Sequence, residues 1–194
     1  AKNPRLGLLY TWAAATNSKG GGSGTDNIND GENTTSTPTR RQGICPNGWH
    51  LPSDAEWTAL ERETEGNATL YSREAANGDP STIITGSITS GSRGTLNARA
   101  MRDACEVSSI GGYAGTSNLL SSSKFAGFDA VYCGYARDGK TSGMGTIASM
   151  INLWTSSGNG TTSWSRELSP TYEYVRRIGG VGRHTMMTVR CMRD

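Results

Sequence analysis

The most regular pattern of apolar and polar positions lies in residues 43–60, GICPNGWHLPSDAEWTAL. Ser53 stands three residues before Glu56, the spacing at which a serine hydroxyl accepts from the N3 amide while the glutamate reaches back to the cap amide. Trp57 and Leu60 follow at i, i+3 and form one apolar stripe. The pattern predicts a helix that begins at Ser53 and packs its stripe against the rest of the chain.

Weaker patterns flank this helix on both sides. The apolar run at residues 6–15, LGLLYTWAAA, predicts a strand or a strand-to-helix corner that buries Trp12. Residues 17–41 are rich in Gly, Ser, Thr, Asn and Asp without an apolar period, which predicts a long surface loop. Further along, Asn97 is predicted to cap a second helix at residues 98–107.

The 17–41 loop also carries oxygen-bearing side chains of the kind that calcium prefers. They are Asp26, Asn27, Asn29, Asp30 and Glu32. The D-x-D-x-D-G spacing with a distal Glu is absent, so we predict a solvated loop and no metal site.

Gly, Asn, Ser and Pro separate four short strand-like pieces in the last third of the chain, a spacing typical of an antiparallel meander. The pieces are residues 153–157, 163–168, 172–178 and 186–192. Another strand, followed by a bend, is predicted at residues 125–135. In the last piece Met187, Val189 and Cys191 occupy alternate positions, so Cys191 is expected to face the buried side.

The chain has 194 residues and no strong internal repeat, which predicts one domain spanning residues 1–194. A formal net charge of +2 is too small to indicate binding to nucleic acid or an anionic membrane. No apolar run approaches the length of a membrane span, and residues 1–10 lack the plan of a signal peptide. We therefore expect no nucleic-acid partner and no membrane insertion by this segment.

The 4 cysteines contain no C-x-x-C pair, which weakens any zinc interpretation. Two disulfides would suit an extracellular chain, and three pairings are formally possible. Four buried thiols in a reducing compartment remain the alternative.

Catalytic motifs are scarce. His50 lies in an apolar segment and His184 in a glycine-rich one, and no G-x-S-x-G elbow is present. The GGVG sequence at residues 179–182 follows no βαβ pattern, and no Walker motif occurs. Asp54 and Glu56 are explained by helix capping. We therefore expect no catalytic residue and no cofactor, and a structural role for His50.

Between residues 152 and 184, Asn, Ser, Thr, Tyr and Arg recur on short strands and turns. Binding surfaces use this mixture because Tyr and Arg provide large contact areas and adaptable hydrogen bonds. An ordinary polar sheet face would have the same composition, so both interpretations stay open at this point.

Six segments of the chain resemble the Fibrobacter succinogenes major paralogous domain family, which is common in surface proteins of Bacteroidetes. They are LLYTWAAA at 8–15, GICPNGWHLPSDAEWTAL at 43–60, FAGFDAVYCGYARDG at 125–139, LWTSS at 153–157, SWSREL at 163–168 and TVRCMRD at 188–194. The departures are the long 17–41 loop and Cys133, where the family often has a Pro-Gly pair.

The resemblance implies an α+β, C-type-lectin-like fold in which two helices flank a small mixed, mainly antiparallel sheet. It also implies a disulfide between Cys45 and Cys191, which leaves Cys105 to pair with Cys133. Similar domains serve as variable proteins of diversity-generating retroelements, which are altered at surface positions of the C-terminal stretch. On that basis Trp154 and Trp164 would be scaffold. The exposed, ligand-binding set would be Asn152, Asn159, Thr161, Thr162, Arg166, Tyr172, Tyr174, Arg176, Arg177, Arg183 and His184.

Three functional hypotheses follow from this resemblance. The first is a non-catalytic binding or adhesion domain at a bacterial cell surface or on a phage particle, with a protein or glycan ligand. The second is an oxidase similar to the formylglycine-generating enzymes, whose helix motif resembles LPSDAEW and which need two reactive cysteines in a cleft. The third is a passive structural module of a cell-surface protein. We favour the first.

Overall fold

The computed structural model describes residues 7–17, 40–72, 75–86, 89–102, 128, 130–137 and 150–194. The helices are α1 (Trp12–Thr16), α2 (Asp54–Gly66), α3 (Ala68–Tyr71) and α4 (Asn97–Met101), with a 3-10 helix at Pro80–Thr82. The strands are β1 (Trp49–His50), β2 (Gly91–Arg93), β3 (Ile151–Asn159), β4 (Thr162–Leu168), β5 (Val175–Gly182) and β6 (Met192–Arg193). The protein is therefore α+β, as predicted.

The main sheet has the strand order β2-β5-β4-β3, and every neighbouring pair is antiparallel. β3, β4 and β5 are consecutive in the chain, which confirms the predicted meander. β2 comes from the middle of the chain and closes one edge by pairing with β5. A second, two-stranded sheet joins β1 to β6, with Trp49 opposite Arg193 and His50 opposite Met192.

Two predicted strands are shorter than expected or absent. In residues 186–192, Met186, Met187 and Thr188 form isolated bridges to Ala136, Tyr10 and Leu153, and regular pairing begins at β6. The described residues of the 125–135 segment form isolated bridges and no regular strand; Ala130 pairs with Arg102, and Gly134 pairs with Ile151. Gly134 has a φ of 72°, and this left-handed conformation turns the chain out of an extended path.

Helix α2 begins as the sequence predicts. Ser53 is the N-cap, its hydroxyl accepts from the Glu56 amide at 3.2 Å, and the Glu56 carboxylate accepts from the Ser53 amide at 2.8 Å. Trp57 is buried in the core against Phe128, and their ring centroids are 5.6 Å apart. The predicted capping box and the burial of Trp57 are confirmed.

The predicted cap of the second helix is wrong by one residue. Leu96 is the N-cap of α4, and Asn97 is already helical. The Asn97 side chain instead accepts from the Val175 amide at 2.9 Å and donates to the Arg93 carbonyl at 2.9 Å. It is therefore used to join β2 to β5. Residues 103–107 of the predicted helix lie outside the described part of the chain.

The core has two parts. One gathers Trp57 with Leu153 and other residues of the main sheet, and the other surrounds Trp12 and Trp154. The Trp12 indole N–H donates to the Thr155 carbonyl at 2.9 Å, which ties α1 to β3. The predictions that Trp12 is buried and that Trp154 is scaffold are confirmed.

Only one of the two expected disulfides is present. Cys45 and Cys191 are bonded across a sequence separation of 146 residues, which confirms the first pairing. Cys133 is a buried thiol whose Sγ lies 2.6 Å from Thr188 Oγ1. The predicted bond from Cys133 is therefore not formed, and its expected partner, Cys105, lies outside the described residues. The acidic side chains of the 17–41 loop lie outside them as well.

Candidate functional site

The predicted C-terminal binding surface is only partly at the surface. Its exposed members are Asn159, Thr161, Tyr172 and His184, and its half-buried members are Thr162, Tyr174 and Arg176. The buried members are Asn152, Arg166, Arg177 and Arg183. The expectation that these last four residues are exposed is wrong.

Arg166 and Arg177 are buried because acidic residues of α2 pair with them. Asp54 Oδ1 lies 2.5 Å from Arg166 Nη1 and 3.0 Å from Arg177 Nε. Glu61 pairs with Arg166 and, at 3.0 Å, with Arg93 of β2. This buried ion network therefore joins α2 to three strands of the main sheet, and the Arg177 guanidinium also lies 3.5 Å from the centre of the Trp164 ring.

The pKa values of the two carboxylates in the network, Asp54 and Glu61, shift in opposite directions. Burial alone would raise the pKa of Asp54, but the positive charges of Arg166 and Arg177 outweigh it and lower that pKa. At the fully buried Glu61, burial prevails over Arg166 and Arg93 and raises the pKa of the carboxyl. Asp54 is therefore the firmly ionised partner of the two arginines.

Arg183 is buried for a different reason. Its guanidinium lies 4.2 Å from the centre of the Trp12 ring. Its Nε donates to Ser163 Oγ at 3.0 Å, and its Nη2 donates to the Gly160 carbonyl at 3.1 Å. Arg183 therefore holds the turn between β3 and β4 and is part of the scaffold.

The accessible members of the predicted surface fall into two separate groups. The hairpin patch lies at the β3–β4 turn and the end of β5, and consists of Asn159, Thr161, Thr162 and His184. The tyrosine patch lies at the β4–β5 connection and consists of Tyr172, Tyr174 and Arg176, with the two tyrosine rings stacked at 5.0 Å. The 7-residue strand β4 runs between the two groups, so they are on the order of 20 Å apart. A ligand that contacted both patches would therefore also have to cover the face of β4 that lies between them.

A concave site lies elsewhere, on the outer face of α2. This α2 cavity has a volume of about 700 Å³ and is bounded by α2, α3, α4 and the β6 region. Its main apolar walls are Trp49, Trp57, Leu60, Met101, Phe128 and Met192. Trp49 is 40% exposed and Met192 42% exposed, so apolar surface lines its mouth as well as its floor.

Charged residues of both signs line the α2 cavity. Glu56 and Glu63 lie on the α2 side, and Arg190 and Arg193 lie on the side formed by the C-terminal segment. The Glu63 carboxylate accepts from the Tyr71 hydroxyl at 3.0 Å. The Arg190 guanidinium lies 4.8 Å from the centre of the Phe128 ring. The apolar cavity is therefore lined by two acidic side chains of α2 and two basic side chains of the C-terminal segment.

His50 contacts one of the charged residues that line this cavity. The buried imidazole lies between Asp194 Oδ1, 2.7 Å from Nδ1, and Glu56 Oε1, 3.0 Å from Nε2. Burial would raise the pKa of Glu56, but hydrogen bonds from Ser53 and His50 outweigh it and lower that pKa. His50 is thus a satisfied structural residue, as predicted, and its hydrogen bond adds to those of Ser53 in lowering the pKa of Glu56 at the cavity.

The sequence pattern at residues 43–60 predicts a helix with a packed apolar stripe and does not by itself indicate the cavity on the outer face of that helix. The available signal was strand alternation. Because His50 is buried, its neighbour Trp49 in the same strand must point to the opposite side. A large aromatic side chain predicted to face solvent marks such a surface.

The described residues offer little for metal or redox chemistry. None of their His, Cys, Asp and Glu side chains form a group of three or more that could hold a metal ion. Cys45 and Cys191 are bonded to each other. No helix within the described ranges is long and apolar enough to cross a membrane.

The comparison with known families agrees with the motifs found in the sequence. A family model described as the Fibrobacter succinogenes major domain matches residues 1–193. No curated protein and no solved structure matches the chain. Because the family model covers nearly the whole sequence, the chain belongs to the Fibrobacter succinogenes major domain family.

Proposed function

We propose that this protein is a non-catalytic binding module and that its ligand occupies the α2 cavity. The observation that carries the proposal is the cavity itself, about 700 Å³ in volume with predominantly apolar walls. Ligand sites are typically concave, apolar and of this size, with a few polar groups that set the orientation of the ligand. Trp49 and Met192 at the mouth are the kind of large apolar side chains that bound ligands cover.

The cavity is supported by contacts that fix its walls before a ligand arrives. The Cys45–Cys191 disulfide and the His50 hydrogen bonds hold the β1 and β6 side. The capping box and the ion pairs of Asp54 hold α2. A preformed site loses less conformational entropy on binding, which supports a role in recognition.

The accessible part of the C-terminal surface is a second candidate for ligand contact. The stacked pair Tyr172 and Tyr174 supports it, since exposed tyrosines are typical of binding surfaces. In this proposal the domain has a C-type-lectin-like fold and varies at the tyrosine and hairpin patches, as do the variable proteins of diversity-generating retroelements. We place such a domain outside the bacterial cell or on a phage particle, where the disulfide would persist.

The α2 cavity can be tested with a small neutral apolar dye, Nile red. Ala59 lies on the exposed face of α2 and lines the cavity, whereas Ala55 lies on the same helix outside it. Glutamine forms helices well and carries no charge, so Ala59→Gln and Ala55→Gln are matched variants. We expect saturable dye binding that Ala59→Gln weakens at least about fivefold and Ala55→Gln leaves unchanged, because only position 59 places a polar amide against the ligand.

Fluorescence titration measures both affinities, and circular dichroism checks that both variants are folded. Dye binding that does not saturate would refute the α2 cavity as the ligand site. Equal affinity of the two variants would refute it as well.

A further inference from the structure

We infer that the α2 cavity accepts an extended peptide segment of a partner protein, with a basic residue over its Glu side and an acidic residue over its Arg side. This inference rests on the proposed function and names the ligand class. The inference follows from the charged side chains around the apolar floor. A small apolar compound would make no use of these charges.

The first step concerns the floor. Trp57, Leu60 and Phe128 belong to one apolar cluster, and Trp49 and Met192 continue it to the mouth. A volume of about 700 Å³ is large enough for more than one bulky side chain. The floor therefore favours apolar side chains of a ligand.

The second step concerns the rim. Glu56 and Glu63 belong to α2, Arg190 and Arg193 belong to the C-terminal segment, and all four side chains line the cavity. Complementary charges at a rim select partners and set their orientation. A fatty acid or another apolar anion would pair with the arginines and would bring no positive charge to the two glutamates. A peptide with both charge signs around an apolar centre satisfies both sides.

Four capped hexapeptides test these requirements. Lys-Gly-Leu-Phe-Gly-Glu carries both charges and the apolar centre, and Lys-Gly-Ser-Ser-Gly-Glu lacks the centre. Glu-Gly-Leu-Phe-Gly-Glu and Lys-Gly-Leu-Phe-Gly-Lys each match one side of the rim only. Because a peptide can bind in either direction, these like-charged peptides are better controls than a simple exchange of the two ends.

Isothermal titration calorimetry at low salt should rank the mixed-charge peptide first. We expect each like-charged peptide to bind about threefold more weakly, which corresponds to one rim contact of ordinary strength. The Ser-Ser peptide should bind at least about tenfold more weakly, since it loses two apolar side chains. The charge preference should disappear at about 1 M salt, where charges are screened within about 3 Å.

Two charge-reversal variants sharpen the test. Glu63 and Arg193 are both exposed, so Glu63→Lys and Arg193→Glu should leave the fold intact. Glu63→Lys should shift the preference toward the doubly acidic peptide, and Arg193→Glu toward the doubly basic one. A preference that neither variant shifts would overturn the inference.

The outcomes also separate this inference from the proposed function. If Nile red binds and Ala59→Gln weakens it but no peptide binds, the peptide ligand is wrong and the cavity remains a binding site. If oleate displaces the dye and the peptides do not, an apolar anion replaces the peptide as the ligand class. If neither dye nor peptide binds, both proposals fail.

Discussion

Replacing Asp54 by asparagine removes the carboxylate that pairs with both Arg166 and Arg177 in the interior. The change keeps the size and one acceptor oxygen of the side chain, so it tests charge rather than packing. Removing one partner of a buried ion pair typically costs about 3–5 kcal/mol, because the charge left behind loses compensation in the interior. Arg166 keeps its ion pair with Glu61, so the loss falls mainly on Arg177. All three side chains are at most 1% exposed, so little solvent screening reduces this cost.

A loss of this size is a large share of the stability of an ordinary domain, about 5–15 kcal/mol. For a chain of this length it corresponds to a fall in Tm of about 6–20 °C. Guanidinium chloride unfolding, followed by tryptophan fluorescence and circular dichroism, gives the free energy difference directly. The matched control is Glu63→Gln, which alters an exposed carboxylate on the same helix and should cost at most about 0.5 kcal/mol. Equal effects of the two variants would refute the account of the buried ion network.

Two further predictions concern pH and the disulfide. The pKa of Glu56 is lowered in the folded state from an ordinary value of 4.5, so its contribution to stability is present above that value and is lost as pH falls through the folded pKa. Unfolding midpoints should therefore fall more steeply below pH 4.5 for the wild type than for Glu56→Gln, and parallel curves would contradict this. The disulfide closes a sequence separation of 146 residues, so the double variant Cys45→Ser/Cys191→Ser should lose about 5 kcal/mol of unfolding free energy. An unchanged denaturation midpoint would show that the disulfide does not restrain the unfolded chain.

The elements that the sequence predicts well are those with strong local chemistry. The Ser53–Glu56 capping box sets the start of α2 through contacts within four residues. β3, β4 and β5 were recognisable because glycine and asparagine separate them into short strands. Within the described part of the predicted strand at residues 125–135, pairing occurs through isolated bridges to distant residues, which no local pattern encodes.

The site was harder to predict because burial of a charged side chain depends on a distant partner. Arginine on a strand normally indicates a solvent-facing position. Arg166 and Arg177 face inward because Asp54, more than a hundred positions earlier in the chain, supplies the opposite charge. Helix capping already accounts for an acidic residue at position 54, so the sequence gives no sign of the second role of Asp54. Long-range ion pairs of this kind cannot be read from spacing.

The two faces of helix α2 make different kinds of contact. Its buried face carries Asp54 and Glu61, whose ion pairs attach the helix to the main sheet. Its outer face carries Ala59, Leu60 and Glu63, which line the α2 cavity. Because these groups do not share side chains, the ligand-facing residues can change without breaking the ion network. In a family of binding modules, this separation would let recognition vary while α2 keeps its position.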